Sequence, residues 1–112
     1  MQRGAWIVST PAFSSVRLSS RTVAATTTAT TSDSTIRCNA AAGAITVNLP
    51  AAASCAGLVL AVKKIDASAN TVTVDPAGTE VIDGATTMGL SSQWQALEIQ
   101  SNGTSWDVLS LS

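Results

Sequence analysis

Seven carboxylates and no histidine are all that this 112-residue chain offers for acid–base chemistry. Without histidine there is no Ser-His or Cys-His pair, so the common hydrolase constellations are excluded. Glycoside hydrolysis would need two carboxylates about 5–10 Å apart across a cleft. Glu80 and Asp83 are near each other in sequence, but one sits beside a turn and the other is half of Asp-Gly, so both read as exposed strand ends. Asp66, Asn70, Asp75 and Asp83 supply the hard oxygens that calcium prefers, without the closely repeated acidic spacing of a dedicated loop. Gly-rich phosphate cradles are absent. The expectation is a chain with no enzymatic activity, no metal and no cofactor.

Other side chains invite binding rather than catalysis. Trp94 and Trp106 could stack on a sugar; alternatively each fills a core or subunit contact in a body otherwise short of bulk. Cys38 and Cys55 either close a small disulfide loop or remain two small thiols, and spacing alone does not place their Cα atoms within bridging distance. Two cysteines without histidine match no zinc pattern.

Charge is divided unevenly. Arg3, Arg17 and Arg21 precede the first acid, Asp33; from there on, Arg37, Lys63 and Lys64 face all seven acids. A basic head therefore leads an acidic body. Three arginines spread along the head, without clustered stacking aromatics, fit nucleic acid poorly and fit an acidic protein surface better. The longest apolar runs are strand-length, so no membrane span is expected. The head also lacks the continuous apolar stretch of a secretory signal.

The elements that must position these residues are almost all strands. In "GAITVNLP", Ile45, Val47 and Leu49 alternate with Thr46 and Asn48 until Pro50 ends the ladder. "GLVLAVKKID" is the most continuous apolar run and reads as a central strand covered on both faces, with Lys63 and Lys64 marking its exit into solvent. "NTVTVD" alternates again, "DPAG" turns, and "TEVID" reads as another short strand before Asp83-Gly84. "QWQALEIQS" and "TSWDVLS" form a hairpin through Asn102-Gly103, which is read as a turn rather than a glycan acceptor. "TIRCN" completes an all-β set of about seven short strands with turns about every ten residues, the pattern of a small antiparallel β-sandwich or barrel-like body.

Residues 1–32 read differently. Large apolar residues, among them Trp6, Ile7 and Phe13, are scattered between Ser, Thr and Pro, and a Thr/Ala-rich stretch follows. Such a segment buries too little by itself to offset a backbone ordering cost of about 1–2 kcal/mol per residue. It predicts an extended anchoring arm on a self-associating body, residues 33–112. Charged residues at 12% of the chain, about half the usual share, also point to a surface that becomes covered.

From residue 31 to about 110 the ordered series "GAITVNLPAAAS", "VKKIDASANTVTVDPAG", "EVIDGATT", "QWQALEIQ" and "SNGTSWDV" resembles a module of tailed-bacteriophage virion proteins. That module occurs in capsid decoration (cement) proteins, head fibres, tail fibres and spikes. The resemblance implies a compact homotrimeric β-structure without catalytic activity. A small knob with a basic arm then fits a decoration protein on the outer surface of the virion capsid. Arg3, Arg17 and Arg21 would pair with acids of the major capsid protein, and Trp6, Ile7 and Phe13 would anchor the arm. The alternative is a head- or tail-fibre knob that binds a host receptor or glycan through Trp94 and Trp106. Neither reading calls for nucleic acid or membrane.

Overall fold

The computed structural model describes residues 15–112. Nine strands are present among them: β1 (Ser20–Val23), β2 (Thr27–Thr28), β3 (Thr35–Cys38), β4 (Ile45–Asn48), β5 (Val59–Lys64), β6 (Val72–Asp75), β7 (Met88–Leu90), β8 (Ala96–Ser101) and β9 (Trp106–Leu111). The chain is all-β; its only helical piece in this range is a short 3-10 turn, Ala52–Ser54.

Two mixed sheets hold these strands, one of five in the order β1-β3-β5-β8-β9 and one of four in the order β2-β4-β6-β7. Through β6 the chain visits the two sheets alternately, so β1, β3 and β5 pair in parallel, as do β2, β4 and β6. Antiparallel pairing is confined to β5-β8-β9 and β6-β7. This corrects the antiparallel expectation for the first half of the chain. Period-2 alternation reports which face a residue occupies but not the direction of its neighbour. The short corners after β1, β3 and β5 lead the chain to the other sheet instead of back along the same one.

One core joins the inner faces of both sheets. Ile36, Leu60, Val62, Leu97 and Ile99 come from the five-stranded sheet, and Ile45, Val47, Val72, Val74 and Leu90 from the four-stranded one. The alternation in β4 and β6 runs as the sequence predicts. β5 is the middle strand of its sheet, but only its inner face is fully buried; Val59 is exposed and Ala61 partly so. "TEVID" makes no strand. Ile82 forms isolated bridges to Ala85 and Trp106 around an Asp83-Gly84 turn, where both central residues have positive φ (47° and 82°). Asp-Gly is suited to such a two-residue turn.

Residues 20–28, read from sequence as part of the arm, are paired into both sheets through β1 and β2. The paired body therefore begins about a dozen residues earlier than its composition suggests. Thr and Ala serve there because backbone pairing, not side-chain bulk, holds the first rung.

Candidate binding surface around Trp94

The turn between β7 and β8 carries the chain from one sheet to the other and presents Trp94 at 56% exposure. Its backbone is the cause. Lys64 N–H donates to the Gln95 carbonyl at 3.0 Å, and Trp94 N–H donates to the Lys64 carbonyl at 2.7 Å. Two residues thus oppose one, as in a bulge, and Trp94 takes φ +70°. Glycine is the usual occupant of such a position. A bulky residue there costs about 1–3 kcal/mol of backbone strain, so the indole is held out at some expense in stability.

Lys63 ties the ring down. Its Nζ donates to the Trp94 carbonyl at 3.0 Å and lies 5.8 Å from the indole centroid, a cation–π contact worth about 0.5–1 kcal/mol at an exposed site. Ser92, Gln93, Gln95 and Ser112 join Trp94 around an open hollow of about 350 Å³. Gln95 Oε1 accepts from the Ser91 and Ser92 N–H groups at 2.9 and 3.3 Å, and Gln93 Nε2 donates to the Ile65 carbonyl at 3.3 Å. Each amide is fixed by one end and leaves the other without a protein partner among the described residues.

Trp106 has the opposite fate. It is 1% exposed, fills the core beneath the Ile82 turn, and its Nε1–H has no hydrogen-bond partner among the described residues. A sugar contact through Trp106 is therefore excluded: its ring is packing material, and the two tryptophans do not form one platform.

Glu80 and Asp83 serve the backbone. Glu80 accepts from Ala52 N–H with both oxygens, at 3.1 and 3.2 Å, and Asp83 accepts from Val108 N–H at 3.1 Å. Asp66 and Asn70 belong to a network centred on Lys64, which is fully buried rather than solvent-facing as its sequence position suggests. Lys64 Nζ reaches Asp66 Oδ2 at 2.9 Å and the Ser68 hydroxyl at 3.3 Å, Asp66 Oδ1 accepts from Ala40 N–H at 2.7 Å, and Asn70 Nδ2 donates to the Ala40 carbonyl at 2.8 Å. The Ser68 hydroxyl bond, with the Lys64 ammonium and two backbone N–H groups, outweighs desolvation and holds the Asp66 carboxyl well below the usual range. The network clamps the loop after β3 to the loop after β5. Among the described residues no group of three or more acidic or cysteine side chains is arranged to hold a metal.

Arg21 has an internal partner. Its Nε and Nη2 bind the two oxygens of Asp33 at 2.8 and 3.0 Å, and its guanidinium also reaches Thr27 and Thr28. That fork lowers the Asp33 pKa and raises that of Arg21. Arg17 is exposed. Arg3, Trp6, Ile7 and Phe13 lie outside the described residues. Of the two options for Cys38 and Cys55, the structure has two free thiols. Cys38 points into the core, and burial pushes its thiol up to about 11.

Lys63, Ser92, Gln93, Gln95 and Ser112 were not singled out by sequence as partners of Trp94. The one signal was the run "SSQWQ", a tryptophan flanked by amides and hydroxyls. Comparison with known proteins matched neither a family model nor a curated protein.

Proposed function

We propose that this chain is a non-catalytic structural protein of a tailed-phage virion: a homotrimeric capsid decoration protein whose leading residues bind neighbouring capsid subunits and stabilise the head. The ordered β-module resemblance supplies the virion assignment. The observation that carries self-association is strand β9. It forms one edge of the five-stranded sheet, and Leu109 and Leu111 on it are 50% and 48% exposed. An open strand edge bearing leucines is a liability that copies of the chain remove by covering it. We read the body as sandwich-like, a flattened parallel coil closed at one end by the antiparallel β7, β8 and β9. A trimer gives three capsid contacts on one rigid body, which reinforce one another through effective concentration.

Because β1 and β2 belong to the paired body, the anchoring role falls on the residues before them, including Arg3, Trp6, Ile7 and Phe13, with Arg17 beside them. Cosedimentation with the phage heads tests this. A chain lacking residues 1–14 is expected to keep its far-UV signature and its trimeric mass while losing head binding. Retained head binding by that truncation contradicts the anchoring assignment. The exposed Trp94 favours a second reading, a fibre knob that contacts a receptor or glycan, whose location on the particle would differ.

A further inference from the structure

We infer that the hollow around Trp94 is a binding site for a neutral saccharide, one pyranose ring stacking on the indole while its hydroxyls meet Gln93, Gln95 and Ser92. The inference deepens the receptor-binding reading of Trp94 and holds whether the protein sits on the head or on a fibre.

Three observations converge on it. First, a large aromatic side chain occupies a left-handed backbone position that glycine would fill without strain, and the ring projects outward instead of packing. Strain of that kind concentrates where a side chain is needed for binding. Second, the polar groups around the ring are pre-set. Gln95 is anchored through its carbonyl oxygen and Gln93 through its amide nitrogen. What remains is one amide donor, one amide acceptor and hydroxyl groups beside an aromatic face. Adjacent sugar hydroxyls need this mixture, since each both donates and accepts, while the C–H face of the ring matches the indole. Third, no charged side chain lines the hollow; the nearby Lys63 ammonium is held on the Trp94 carbonyl and ring. A single ammonium fixed outside the lining offers a phosphate or acidic sugar neither a clustered nor a bidentate counter-charge.

Competing occupants fit less well. A nucleobase would stack, but its backbone phosphates would find no unpaired cation in the lining. A leucine-rich surface from a second copy would cover the indole while leaving the free ends of Gln93 and Gln95 unsatisfied, which is costly when they are buried.

The test uses the full chain in its native assembly. Tryptophan emission and calorimetry are followed while maltohexaose, cellohexaose and chitohexaose are each added to millimolar concentration. Saturable binding of at least one is expected, with protection of Trp94 from acrylamide. W94G, which suits the local backbone, is expected to remain folded and to bind at least about tenfold more weakly, as for the loss of an aromatic stacking partner. Q93L keeps the indole and should also weaken binding. A flat response to all three sugars overturns the inference, as does unchanged binding by W94G. Shielding of Trp94 from acrylamide in the sugar-free assembly would assign the hollow to subunit contact and also overturns it. None of these outcomes alters the assembly mass, so the structural role is tested separately.

Discussion

Lys63 and Trp94 hold each other twice, through the lysine Nζ on the Trp94 carbonyl at 3.0 Å and through the ammonium 5.8 Å from the indole centroid. The tie fixes a ring that its own backbone, at φ +70°, would rather not carry. Replacing Trp94 separates the two effects. W94A keeps the strain and loses the ring, whereas W94G loses both. W94G is expected to be more stable than W94A by about 1 kcal/mol, the usual penalty for a Cβ in the left-handed region. Urea denaturation of the two variants measures this. Equal stabilities would mean that the backbone at this turn is not strained.

Arg21 and Asp33 staple the first rung of the coil. Their fork links β1 to the turn before β3, with the arginine side chain 37% and the aspartate side chain 9% exposed. R21A is expected to cost about 1 kcal/mol after allowance for solvent screening. Amide exchange should accelerate in residues 20–28 while β5 and β8 remain protected. A uniform loss of protection would show that the first rung does not open independently.

Acid sensitivity follows from the depressed carboxyls. Asp66 and Asp33 both have folded-state pKa values below their unfolded ones. Their contribution is therefore complete at neutral pH, and it declines as pH falls below about 4, through the folded values. The melting temperature should be flat from neutrality to about pH 5 and then drop. D66N should be less stable at neutral pH, with a shallower acid limb. An acid limb unchanged in D66N would remove Asp66 as a source of that dependence.

Thiol reactivity should divide in the same manner. Cys38 is buried with its thiol pushed up to about 11, whereas Cys55 is partly exposed. A disulfide-forming chromogenic reagent at pH 8 should label Cys55 rapidly and Cys38 only after unfolding. Rapid labelling of both in the native state would place Cys38 outside the core.

How much of this was legible in the residues depended on which physical signal each feature leaves. Alternation in "ITVNL" and "VTVD" located β4 and β6 and their inner faces, because side-chain direction follows a period of two. The Asn102-Gly103 hairpin announced itself through its turn chemistry. Strand direction left no such mark, so the parallel pairing of β1, β3 and β5 was invisible. Lys64 looked like a solvent-facing end, since nothing local reveals that Asp66 and Ser68 receive it inside. β1 and β2 were hidden by low-complexity composition, their stability resting on backbone pairing and one Arg–Asp fork. The strained turn at Trp94 could not be foreseen, because tryptophan carries no preference for positive φ.

A chain that works as a self-assembled structural body, as proposed above, must show that assembly in its solution mass. Sedimentation equilibrium or native mass spectrometry of the full chain at micromolar concentration should give three copies of the 11.3 kDa polypeptide. L109K/L111K, which places charge on the open edge of β9, should shift that mass toward one copy while the β signature persists. A wild-type protein that remains a stable monomer under these conditions would overturn the proposed structural role.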